Sequence, residues 1–216
     1  MPSPAASPVL LSQAEEQTWG NLKGEFVYDG AYPEPEELVL NKDIEYCAPR
    51  EPKSQKLLVN QESLGLSNVV IFLYQKKGDA PPPIHPDYTE TAEQEVLLDN
   101  IDCKFAPHIT LLRTSQTLKI TNSDEVAHNT AAFLSRNEPF NAVTPVGKTV
   151  YKNLSSGERL PVQISCSIHP WMQGYLLVQE HPYMVLRMKL ESSKSKISLP
   201  VNGLSNFGTK QLFDRS

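Results

Sequence analysis

The stretch ISCSIHPWMQGYLLV, residues 164–178, places Cys166, His169 and Met172 within seven residues and then runs into an apolar segment. Thiol, imidazole and thioether in one short loop raise three readings: a metal loop, a nucleophilic cysteine, or the turn of a buried hairpin. The flanks are strand-like. In LPVQISC (160–166), Val162, Ile164 and Cys166 fall on one face by period-two alternation, so the cysteine points where two core residues point. GYLLVQE (174–180) then reads as the return strand.

Soft sulfur combined with imidazole nitrogen suits copper, and two histidines with one cysteine and a distant methionine is the donor set of blue-copper electron-transfer sites. The loop supplies Cys166, His169 and Met172, so a second histidine must come from elsewhere, near a strand end. His128, in KITNSDEVAHNTAAF, follows the predicted strand TLKITNS (117–123) after a polar corner. Asn129 comes next, and its amide can bond across to the cysteine loop and hold the two segments together. Cys-x-x-His by itself is more often structural than metal-binding. Met172 at the right spacing and His128-Asn129 upstream turn that balance toward copper. The competing chemistry is an enzyme with Cys166 as nucleophile and His128 or His169 as base. No Asp or Asn orienter is evident for it in the sequence, and it leaves Met172 without a role.

The rest of the chain is punctuated like an all-β protein. Across 216 residues, 18 prolines and 10 glycines separate short runs of Val, Ile, Leu, Thr and Tyr. Strands are expected in 19–30, 38–40, 67–78, 96–98, 108–114 and 148–154, beside those already named. The segment 79–90, DAPPPIHPDYTE, must be an extended loop because its prolines fix φ and remove donors. About eight to ten short strands predict a Greek-key β-sandwich or barrel with additional N-terminal strands. The chain divides into a flexible lead (1–17), an N-terminal β extension packed on the core (18–95), a core with the copper site (96–183), and C-terminal strands ending in a tail (184–216). The extension is expected to lie on the core because NVVIFLY has no other obvious sheet to join.

A net charge of only −5 makes no electrostatic case for nucleic acid or an anionic membrane. No stretch approaches the roughly 20 apolar residues of a membrane span. The opening MPSPAASPVLLSQAEEQ lacks the basic start and apolar centre of a secretory signal, although its small residues also fit a mature start. Besides Cys166 there are Cys47 and Cys103. They either pair, which needs an oxidising compartment, or are buried separately as small hydrophobes.

His-Asn after a strand, followed by C-x-x-H-P-W-M, resembles the pattern of cupredoxins, the type 1 blue copper family, with a ligand loop of amicyanin length. WGNLKGEFVYDG, NKDIEYC, LSNVVIFL, HPDY, DCKFAPHI, NSDEVAHNT, PFN and CSIHPWMQGYLLVQEHPY together resemble bacterial cupredoxins often labelled methylamine utilisation proteins, over residues 18–183. After HPY the chain departs from that pattern. The resemblance implies one mononuclear copper, an electron carrier rather than an enzyme, export to the periplasm or cell surface, and a Cys47–Cys103 disulfide. It implies His169 as the ligand nearest solvent, ringed by Pro170 and Trp171, with a cytochrome or dehydrogenase docking there as redox partner. A copper store or chaperone is the alternative use of the same ligands.

Among the remaining histidines, His108 opens a strand and is expected to be a hydrogen-bonded structural residue. His85 is expected to cap a turn, and His181 to face solvent or pack on Tyr183. Trp171 reads equally as core or as part of an exposed docking patch.

Overall fold

A computed structural model describes residues 19–187, 195–200 and 207–211. Its strands are β1 (Trp19–Gly24), β2 (Val69–Leu73), β3 (Glu95–Ile101), β4 (Lys104–Ala106), β5 (Ile109–Arg113), β6 (Thr117–Asn122), β7 (His128–Ala132), β8 (Phe140–Thr144), β9 (Thr149–Asn153), β10 (Val162–Ser165), β11 (Gln173–Gln179), β12 (Met184–Arg187), β13 (Ser195–Pro200) and β14 (Phe207–Gln211). One turn of helix, α1 (Ile44–Cys47), interrupts the N-terminal part.

Two sheets face each other, in the orders β4-β3-β6-β9 and β5-β11-β10-β7-β8. Leu98, Leu118 and Ile120 from the first interleave with Leu112, Ile164, Leu176 and Val178 from the second. This is the expected all-β sandwich. Most neighbours are antiparallel, whereas β3 with β6 and β5 with β11 are parallel. The sequence alternates where one face meets solvent: β6 is buried at Leu118, Ile120 and Asn122 and half-buried between them. β11 is apolar without alternation because it is covered on both sides. Its Leu176 and Val178 enter the sandwich core, while Leu177 points to the opposite layer.

That outer layer is built on β2, all five of whose residues are buried. Val70 and Phe72 pack on Ile109 and Leu177, and Ile71 and Leu73 pack on Tyr183. Contrary to the sequence argument, NVVIFL does have a sheet of its own, because β2 pairs with β12 on one edge and β14 on the other. Its order β12-β2-β14 uses Phe207–Gln211, from the stretch read as a tail. β1 pairs with β13, Trp19 opposite Pro200 through Gly24 opposite Ser195.

No strand forms at 38–40. Glu37 makes a single bridge to Lys53, and the chain then turns into α1. Cys47, the last residue of α1, is disulfide-bonded to Cys103 between β3 and β4, with 5.7 Å between the Cα atoms. The helix is thereby tied to the edge of the sandwich. Gly174 is required at the start of β11: a Cβ there would lie 2.8 Å from the carbonyl oxygen of His108, the oxygen to which the Tyr175 N–H donates.

Candidate metal centre

Adjacent strand ends assemble the site. β10 pairs with β7 at Ile164–Ala132 and Ser165–Ala131, so the residue leaving β10, Cys166, arrives beside the start of β7 at His128 and Asn129. The loop then closes on itself. Cys166 N–H donates to the Met172 carbonyl at 3.1 Å, and Met172 N–H to the His169 carbonyl at 2.9 Å. Asn129 fastens the loop to β7 through Oδ1, which accepts from the N–H groups of Ser167 at 2.8 Å and Ile168 at 3.2 Å. This is the cross-loop amide expected from its position after His128.

His128, Cys166 and His169 converge. One nitrogen of each imidazole and the Cys166 sulfur all lie within 4.8 Å of one another. His169 Nδ1 is 3.8 Å from Cys166 Sγ. Metal bonds of about 2.0 Å to nitrogen and 2.3 Å to sulfur in a trigonal plane put those two atoms roughly 3.7 Å apart. The spacing therefore fits a single ion of that size. The exposures of His128, Cys166, His169 and Met172 are 0, 2, 0 and 1%. Met172 shares the core cluster of Cys166.

Each imidazole is held from behind. His128 Nε2 donates to Asp124 at 2.8 Å, and His169 Nε2 donates to Asp43 at 2.9 Å. A carboxylate on the outer nitrogen selects the tautomer whose inner nitrogen has a free lone pair, which is the arrangement behind metal-binding histidines. In keeping with this, Nδ1 of His128 is buried and without a hydrogen-bond partner. A buried nitrogen left this way costs about 1–3 kcal/mol unless something fills the coordination.

The charges favour a thiolate. Burial pushes the Cys166 thiol up, but the His128 imidazole and the N–H groups of Asn129, His169 and Ile168 outweigh it and leave the thiol below its ordinary range. For His128, burial pushes downward, and the Asp124 carboxylate together with the nearby Cys166 sulfur more than offsets it, so its pKa is raised. His169 is lowered, by burial first and by the charge on His128, against the opposing bond to Asp43.

Asp124 and Asp43 escaped the sequence reading. Asp124 sits four residues before His128 in SDEVAH, so a local signal existed. Asp43 is 126 residues from His169, and nothing local points to it. His169, the ligand expected nearest solvent, is itself fully buried, because the segment carrying α1 lies over its outer edge. Trp171 is half-buried, with its ring 5.0 Å from that of His169 and its indole N–H on the Cys103 carbonyl at 3.2 Å. His108 is buried, faces the Tyr175 ring and stands outside the His–Cys–His group. His85 caps a turn by accepting from the Asp87 N–H. His181 is buried beside Tyr183 and does not face solvent.

No protein-family model matches the sequence, and no curated protein matches it. Among solved structures, the chain is similar to a copper-containing nitrite reductase from Thermus scotoductus, at 19% identity over 49% of this chain and a quarter (25%) of that one, with a TM-score of 0.37. It is similar to a purple cupredoxin from Nitrosopumilus maritimus, at 20% identity over 40% of this chain and all (100%) of that one, with a TM-score of 0.33. It is also similar to amicyanin, at 14% identity over 47% of this chain and 95% of that one, with a TM-score of 0.36.

Proposed function

We propose that this chain is a mononuclear copper protein that carries electrons, with His128, Cys166 and His169 as close ligands and Met172 as a weak fourth. One observation carries the reading: two buried imidazoles and a buried thiol converge on one point, each imidazole with its outer nitrogen taken by a carboxylate. Copper bound there would supply one-electron Cu(I)/Cu(II) chemistry. The protein's part is to keep the donors still. The N–H groups of Asn129 and His169 point at the sulfur at 3.5 and 3.4 Å and stabilise its negative charge. Asp124 and Asp43 fix both ring planes, and Asn129 ties the loop to β7. Donors held this firmly change little between oxidation states. Burial of all four side chains keeps water from the point where the two imidazoles and the thiol meet.

The Cys47–Cys103 disulfide supports export to an oxidising compartment such as the periplasm. The partner would be another redox protein, a cytochrome or dehydrogenase. Because His169 is covered, contact would be made on the α1 segment over it rather than on the imidazole itself. The test is to add Cu(II) to purified protein and record the visible spectrum. An intense thiolate-to-copper band that disappears in C166S is expected, and its absence from copper-loaded wild type overturns the reading. A carrier in which Met172 is replaced keeps copper and changes potential, whereas a copper store or chaperone changes affinity.

A second reading rests on Asp124. With Asp124 on His128 and His128 beside Cys166, the orienting carboxylate that the sequence seemed to lack for a cysteine nucleophile is present. Against it, a substrate must reach a sulfur on a residue only 2% exposed. Rapid alkylation of Cys166 in a protein that stays colourless with copper would favour this reading.

A further inference from the structure

We infer that Asp43 is a positioning residue for His169, delivered across the chain by a disulfide-clamped cap, and that the site is fully closed only while that clamp is in place. The inference rests on the copper reading of the site.

Asp43 stands directly before α1, where an aspartate ordinarily accepts a bond from the first-turn N–H groups. Here its side chain makes no such bond. Its backbone is left-handed, φ 45° and ψ 41°, which is uncommon for a residue other than glycine. Such a conformation persists where surrounding structure enforces it, and functional sites are where it collects. The carboxylate is instead turned onto His169 Nε2 at 2.9 Å.

Three further contacts hold the cap. The first is the Cys47–Cys103 bond, four residues after Asp43. In the second, the Tyr46 hydroxyl donates to Asp124 at 3.1 Å, so one segment supplies the outer partner of His169 and touches that of His128. In the third, Arg50, which lies over the Tyr46 ring 3.3 Å from its centroid, reaches Asp102 with Nε 4.0 Å from Oδ1. Trp171 completes the closure from the sandwich side through the carbonyl of Cys103, the other half of the disulfide.

The test uses D43N, D43A and C47S/C103S, the last leaving Cys166 as the sole thiol. Two quantities are measured: the alkylation rate of Cys166 in metal-free protein, and the rate of copper loss to a chelator from loaded protein. D43A and C47S/C103S are expected to raise both about tenfold, the range seen when outer partners of metal ligands are removed. D43N, whose amide oxygen can still accept from Nε2, is expected to restore most of the difference. Wild-type rates in either D43A or C47S/C103S overturn the inference, as does a D43N no better than D43A. If copper-loaded wild type lacks the thiolate band, the copper reading itself has failed. The alkylation rates of the metal-free variants then still decide whether the cap closes the site.

Discussion

Nε2 of His128 lies 2.8 Å from Oδ2 of Asp124, four residues earlier, and neither side chain reaches solvent. The carboxylate is saturated by donors alone. Oδ1 accepts from the Asp102 N–H and the Tyr46 hydroxyl, and Oδ2 accepts from the Cys103 N–H and His128. D124N is therefore not conservative: either orientation of the amide turns an NH₂ toward two donors. We expect it to destabilise the metal-free protein by about 3 kcal/mol in urea unfolding, the range for breaking a buried charged partner. Burial pushes the Asp124 carboxyl up, but His128 and the two N–H groups hold it below its ordinary range. This contribution is accordingly present above the ordinary carboxyl pKa and is lost as pH falls through the lower value.

Copper binding should appear as stability. A ligand that binds only the folded state at a hundred times its dissociation constant adds about 2.7 kcal/mol. Calorimetry with and without Cu(II) should raise the melting temperature of wild type and leave C166A where it was. Without metal, C166A is expected to differ from wild type by only about 1 kcal/mol. Equal copper-induced shifts in both proteins would remove Cys166 from the ligand set.

What the sequence made legible was local. Cys166, His169 and Met172 are spaced by a loop short enough to read, and alternation at Val162 and Ile164 aimed the cysteine inward. His128 and Asn129 were legible because a strand and a polar corner precede them. β7 itself was not, since HNTAA carries small residues buried on both faces and shows no alternation. β2 was plain as a buried strand, but its partners lie more than a hundred residues onward, where propensity is silent. The same distance hid Asp43. Periodicity reports which way a side chain faces and not which distant segment covers it, and so the cover over His169 could not be foreseen.

Gly174 should prove among the least replaceable positions near the loop. The Cβ of G174A would stand 2.8 Å from a backbone oxygen and 3.3 Å from the Ile164 side chain, and the oxygen already accepts from Tyr175. Relief requires prising β11 from β5, at a cost of about 2 kcal/mol. G24A is the control, because among the described residues nothing lies within 4 Å of the added carbon, and it should change stability by less than about 0.5 kcal/mol. Chemical unfolding of the two variants side by side decides the point.

His108 supplies a pH dependence separable from the ligands. Burial drives its pKa from 6.5 down to about 4, against a small opposing effect of its bond to the Gln173 backbone. The unfolded chain therefore binds a proton at this residue between those values while the folded protein does not. Stability rises with pH wherever the unfolded state holds more protons. The contribution is thus complete above pH 6.5 and drains away as pH falls toward 4, by about 3 kcal/mol at the limit. His181 is also lowered, by burial first, so a slope in wild type alone would not identify the group. The comparison is with H108Q, whose amide can still donate to the Gln173 carbonyl but does not titrate. In metal-free protein, unfolding free energies measured from pH 7 to 4.5 should fall more steeply for wild type than for H108Q, by close to one proton's worth of slope. Parallel curves would mean that His108 takes up its proton without unfolding, and that the packing against Tyr175 yields to the charge.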